Sequence, residues 1–150
     1  MEDERVEWMK KMLIATDGSE YTREAVTTGL KLAKILGADA TALYVIDQTS
    51  FVTSPVDSSI VSVYPQLENE GKRAVEEVRK EGEALGVKVT PVVAEGSPTR
   101  KIVEMAADFD LVVLGTLGRS ALGKVFIGSV AERVTRYAPC PVLVVRSKKR

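Results

Sequence analysis

The sequence predicts a single α/β domain over residues 1–150, with a parallel sheet of five strands covered by helices on both faces. Two observations predict it. Five short runs are apolar almost throughout, as strands buried on both faces must be, and between them apolar residues recur at helical spacing.

The first run is Lys11-Met12-Leu13-Ile14-Ala15-Thr16, too short for a helix and closed by Asp17-Gly18-Ser19. Ala25, Val26, Leu30, Ala33 and Leu36 then share one helical face, and Gly37 stands where a helix-ending glycine belongs. The second strand, Ala42 to Ile46, ends at Asp47, and residues 48–64 show no clear period and read as a long mobile connection. Leu67, Ala74, Val75, Val78 and Leu85 mark a second helix stopped by Gly86. The third strand is Val87 to Ala94, placed near a sheet edge by Pro91. Ser97-Pro98 opens a third helix as N-cap and first-turn proline. The fourth strand, Leu111 to Leu114, runs into Gly115, and the last helix spans about Ser129 to Tyr137. Val142 to Val145 is the fifth strand, and residues 1–10 and 147–150 are expected to be flexible tails.

Right-handed crossovers force such a sheet to reverse its winding, and ligands bind at the strand ends beside that switch point. Function is therefore expected in the segments that follow the strands.

Composition narrows the classes. Lys+Arg and Asp+Glu both number 21, so no overall charge draws the chain to nucleic acid or anionic lipid. One cysteine rules out an intramolecular disulfide, and the lack of histidine excludes Ser-His and Cys-His nucleophiles and His-ligated metals. The acidic start Met1-Glu2-Asp3-Glu4-Arg5 is unlike a secretory signal, and no apolar run approaches the roughly 20 residues of a membrane span. A cytoplasmic location is the expectation.

The segment after the fourth strand carries four glycines, Gly115, Gly118, Gly123 and Gly128, within fourteen residues. Glycines at a strand end let backbone N–H groups approach an anion without a Cβ in the way. Thr116, Ser120 and Ser129 add hydroxyls, Arg119 and Lys124 add positive charge, and Gly128-Ser129 opens a helix whose amides and dipole favour phosphate. Gly118 to Lys124 also matches the first seven positions of a P-loop, but Val125 stands where a hydroxyl should meet Mg²⁺. Too little chain follows for that fold. Asp17, at the end of the first strand, can accept hydrogen bonds from ribose hydroxyls or bind a metal ion. Alone, such an aspartate more often satisfies local amides, so its weight comes from the glycine segment beside it.

The spacing Gly115-x2-Gly118-x9-Gly128-Ser129 resembles the nucleotide signature of ATP-binding universal stress proteins. The likeness extends through Ile14 to Ser19, Tyr44 to Asp47, Ala94-Glu95-Gly96 and Pro141 to Val145, covering about Lys11 to Arg146 in order. It implies a Rossmann-like, adenine nucleotide alpha hydrolase-like sandwich with strand order 3-2-1-4-5. It also implies ATP, or ADP or AMP, with Asp17 at the ribose; Mg²⁺ held through Asp17 belongs to the ATPase alternative below. Backbone at Ala15, Thr16 and Val45 would frame the adenine. Gly115, Thr116, Gly118, Arg119, Gly128, Ser129 and Val130 would surround ribose and phosphates. The resemblance further implies a homodimer through the last strand, Val142, Leu143, Val144 and Val145. Leu117 departs from the pattern, standing where some ATP-binding relatives carry histidine.

The expected role is a regulatory nucleotide-binding module in stress response. A slow Mg²⁺-dependent ATPase or phosphotransferase using the same site is the alternative. Regulation ranks first because the segment is rich in binding groups and offers no acid pair or histidine for catalysis.

Overall fold

A computed structural model describes residues 7–47, 59–118 and 127–147. Its elements are β1 (Lys11–Ala15), a single 3-10 turn (Glu20–Thr22), α1 (Arg23–Leu36), β2 (Asp39–Asp47), α2 (Ser59–Ala84) and β3 (Val89–Gly96). They continue through α3 (Pro98–Ala106), β4 (Leu111–Gly115), α4 (Ser129–Tyr137) and β5 (Val142–Val145). The five strands are all parallel, in the order β3-β2-β1-β4-β5. Pro91 lies on the edge strand β3, where a missing ladder donor is tolerated.

Alternation along the strands divides the core between the two faces. Met12 and Ile14 of β1 pack with Ala25, Val26, Leu30 and Ala33 of α1 and Ala74, Val75 and Val78 of α2. Leu13 points the other way, into a second cluster with Leu43, Val112, Leu114, Ile102 and Ala106 of α3, and Ala131 and Val134 of α4. On the first face α1 lies so close that a Cβ added at Gly29 would come 2.9 Å from Ile14 Cδ1.

Ile14 is fully buried at this contact. Ile14→Ala opens a cavity between β1 and α1 that a close-packed helix cannot refill, and is expected to cost about 2–5 kcal/mol. For a chain of this length that lowers Tm by roughly 5–15 °C. Thermal unfolding checks it, and a shift under roughly 2 °C would show that this interface does not carry the core.

The helix ends follow their sequence signals. Gly37 adopts φ 66°, and its N–H reaches the carbonyls of Ala33 and Lys34. The hydroxyl of Ser97 accepts from the Arg100 N–H at 3.4 Å, with Pro98 in the first turn of α3. At the opposite end of the sheet from the strand termini that matter below, Asp110 ties β4 to β1. Its Oδ2 accepts from both the Lys10 and Lys11 N–H groups at 2.9 Å.

Several boundaries differ from expectation, among them β2, which begins at Asp39 opposite Lys11 and not at Ala42, and β3, which ends at Gly96 and not at Ala94. Helix α2 begins at Ser59, inside the stretch read as a mobile connection, and runs through Pro65. The β-branched Ile60, Val61 and Val63 conceal the helical period, and Pro65 gives up only its own bond in a helix anchored through Tyr64 and Leu67 on the core. Strand β3 starts two residues later than Val87, because the Val87 N–H is used to close the end of α2 on the Gly82 carbonyl at 2.8 Å. The N-terminal tail is shorter at its inner end, since Met9 is buried in the core and Lys10 is held by Asp110. Residues 48–58 lie outside the described residues.

Candidate functional site

The winding reverses between β1 and β4, which pair with Ile14 opposite Val113. From there the chain steps outward to β2 on one side and β5 on the other. The segments leaving the carboxyl ends of β1 and β4 therefore border one crevice. They are Thr16-Asp17-Gly18-Ser19 and Gly115-Thr116-Leu117-Gly118.

The first segment is a polar knot. Thr16 continues the ladder by one bond, its N–H donating to the Leu43 carbonyl at 2.9 Å. Gly18 takes φ 77°, a turn that a side chain would strain, and donates its N–H to Thr16 Oγ1 at 3.1 Å. Asp17 Oδ1 accepts from the Ser19 N–H at 2.9 Å, from the Ser19 hydroxyl at 2.5 Å and from the Thr22 hydroxyl at 3.3 Å. The local role expected of an aspartate at this position is thus present. It engages Oδ1. The other, Oδ2, lies towards Gly118, where an added Cβ would stand 2.9 Å from it.

The second segment folds back on itself. The Gly128 N–H donates to the Thr116 carbonyl at 2.5 Å, which joins the two ends of the glycine segment and sets α4 beside β4. Space is tight at these closures. A Cβ at Gly128 would meet the Thr116 carbonyl oxygen at 3.2 Å. At Gly115 it would meet the carbonyl oxygens of Leu117 and Tyr21, both at 3.2 Å. Gly128 is the N-cap residue of α4 and brings no capping side chain of its own, and Ser129 and Val130 occupy the first turn.

Thr116 turns towards the sheet edge instead of towards Asp17. Its N–H donates to the Val145 carbonyl at 2.9 Å, and its Oγ1 accepts from the Ser147 N–H at 3.3 Å. Ala15, Val45 and Val130 lie half-buried against the same α3–α4 cluster, an apolar flank on one side of the crevice. Arg119 and Lys124 lie outside the described residues.

Thr22 was missed by the sequence reading. It is one of two buried polar residues among those described, the other being Thr16, and their hydroxyl oxygens lie 3.1 Å apart. The available signal is its place four residues before Val26, on the apolar stripe of α1, where a hydroxyl must find an internal partner. Thr16, Ser19 and Thr22 also line a shallow open hollow between α1 and α2, with Arg23 and Glu81 at its rim. None of the described residues of the glycine segment lines that hollow.

Cys140, ahead of β5, is half-buried. Burial first, and the charge of Asp110 second, push its thiol above the ordinary value, which keeps it protonated and unreactive at neutral pH. Among the described residues no group of three His, Cys, Asp or Glu side chains could hold a metal ion, and no helix is long and apolar enough to cross a membrane.

A doubly wound parallel sheet with a carboxylate and closed glycine turns at its switch point defines the Rossmann-like class of α/β proteins. Comparison with known proteins specifies it further. The model of the universal stress protein family matches residues 9–146, and the chain belongs to that family. Universal stress protein MJ0531 of Methanocaldococcus jannaschii is 41% identical over 143 residues, spanning 94% of this chain and 84% of that protein. Among solved structures, the hypothetical protein MJ0577, a universal stress protein of the same organism, superposes with a TM-score of 0.77 at 31% identity. The match spans 95% of this chain and 99% of that one. A universal stress protein in complex with cAMP shares the fold with a TM-score of 0.67, over 93% of this chain and 98% of that one. At 22% identity that likeness is one of fold.

Proposed function

We propose that this chain is a cytoplasmic, homodimeric nucleotide-binding module of stress response that holds ATP in the crevice between β1 and β4. The observation that carries the reading is the approach of Asp17 Oδ2 to Gly118, which puts a carboxylate and a glycine turn on one crevice at the start of α4. A carboxylate suits ribose hydroxyls, and glycine turns with helix-start amides suit phosphates.

The residues fit the nucleotide. Asp17 would take the ribose, while backbone at Ala15, Thr16 and Val45 would frame the adenine along the apolar flank. Gly115, Gly118, Arg119, Gly128, Ser129 and Val130 would surround ribose and phosphates, with Thr116 supporting the turn that presents them. ATP brings its own polyphosphate charge, and a Mg²⁺ ion carried on it needs only one or two protein carboxylates, for which Asp17 is the candidate. The second copy would pair along β5, through Val142, Leu143, Val144 and Val145. That a protein of this fold is known in complex with cAMP is consistent with an adenine ligand for the fold.

The test is recovery of ligand. Protein purified without denaturant, or incubated with excess ATP and desalted, is unfolded in acid, and the supernatant is separated by chromatography. The expected result is adenine nucleotide approaching one per chain. A protein that retains none under either treatment overturns the assignment.

A further inference from the structure

We infer that Thr22 is a positioning residue that aims Asp17 at the ribose hydroxyls, so that this buried hydroxyl sets discrimination between ribose and deoxyribose ligands. The inference rests on the nucleotide reading above and goes beyond it by naming the residue that controls the carboxylate.

Thr22 sits at the start of α1, is 7% exposed and touches the knot at three points. Its Oγ1 lies 3.3 Å from Asp17 Oδ1, 3.1 Å from the Ser19 carbonyl oxygen and 3.1 Å from Thr16 Oγ1. A hydroxyl has one proton, so at any moment it donates to one of these oxygens and accepts at most from Thr16. Thr16 in turn is fixed by the Gly18 N–H at 3.1 Å, and Gly18 is the residue that turns the chain past Asp17. The hydroxyls of Thr16 and Thr22 therefore fill the space beneath the Asp17 turn with directed contacts.

The consequence lies in which carboxylate oxygen faces the crevice. Ser19 and Thr22 draw Oδ1 towards the protein, and the plane of the carboxylate then directs Oδ2 towards Gly118. Ser19 holds Oδ1 from the loop side, and Thr22 adds the contact from the helix below. Without it the Ser19 bonds still hold Oδ1 from the loop side, but the support from the helix is gone and the alignment of the carboxylate with a bound sugar loosens. Hydrogen bonds to a charged acceptor depend on that alignment.

The experiment compares wild type, Thr22→Ser and Thr22→Val by calorimetric titration with ATP and with 2′,3′-dideoxy-ATP, which lacks both ribose hydroxyls. Valine matches threonine in shape and removes only the hydroxyl, and serine restores it should the methyl matter for folding. Wild type and Thr22→Ser are expected to prefer ATP by about tenfold or more, which corresponds to ~1.4 kcal/mol. In Thr22→Val the preference is expected to fall to about twofold or less, while affinity for the dideoxy nucleotide stays within about threefold of wild type. A merely structural role would weaken both ligands together and leave the ratio unchanged, and that outcome overturns the inference while leaving nucleotide binding intact. If the wild type binds neither ligand, the nucleotide reading fails and the inference fails with it.

Discussion

Gly118→Val weakens ATP binding at least tenfold while the fold remains intact. The reason is local and steric. A Cβ at position 118 stands 2.9 Å from Asp17 Oδ2, well inside van der Waals contact, and valine adds two methyl groups beyond it. The carboxylate cannot simply yield, because its other oxygen is held by the Ser19 N–H, the Ser19 hydroxyl and the Thr22 hydroxyl. Relief requires either breaking those bonds or moving the turn after β4, and each change misplaces a group assigned to the nucleotide. Gly118 is not among the glycines with positive φ, so backbone strain adds nothing. Gly37, at φ 66° with open space around its Cβ position, supplies the contrast. Gly37→Ala is expected to lower stability by about 1 kcal/mol and leave ATP affinity unchanged. Calorimetry and thermal unfolding on both variants separate the effects, and a Gly118→Val protein that binds ATP like wild type would remove Gly118 from the site.

The second large effect concerns assembly. Val144→Pro is expected to convert a dimer into a monomer that still folds. Strand β5 is the edge of the sheet, and all four of its residues are half-buried, so it presents an unpaired ladder flanked by apolar side chains. Such an edge invites pairing with another chain, and a second copy of β5 is the proposed partner. The carbonyls of Pro141 and Val145 accept from the Val112 and Thr116 N–H groups of β4, at 3.0 and 2.9 Å. Odd-numbered residues therefore face β4, and by the two-residue period the Val144 N–H faces outward. Proline there removes a donor from the outer edge without removing a bond to β4, which is where edge strands tolerate it. Sedimentation should give twice the 16.3 kDa chain mass for wild type and the single mass for the variant. A monomeric wild type would contradict the proposed interface directly.

Most of the architecture was legible in residues alone. Strands β4 and β5 and helix α4 are bounded by Gly, Pro and Ser signals, and the apolar period switches sharply at each boundary. Legibility failed where a residue served something other than its own element. Val87 looks like strand but closes α2, and Ile60, Val61 and Val63 read as part of a mobile connection yet belong to a helix that packs through Tyr64 and Leu67. The site shows the same division. Asp17 and the glycines at 115, 118 and 128 stand out by type and spacing. Nothing in spacing says that Thr22 reaches Asp17, because that contact depends on how the 3-10 turn Glu20–Thr22 brings the start of α1 back under the end of β1. The hydroxyl of Thr116 was expected at the ligand, yet it lies against the chain leaving β5. That preference arises only once β4 and β5 are paired.

The central claim is that the β1–β4 crevice binds an adenine nucleotide through this chain's own Asp17 and glycine turns. Calorimetric titration of nucleotide-free protein with ATP in the presence of Mg²⁺ tests it most directly. One saturable site per chain is expected, with a Kd in the micromolar range or tighter, about −8 kcal/mol or more favourable. Titration into the millimolar range without saturable heat, repeated with ADP and AMP, would contradict it.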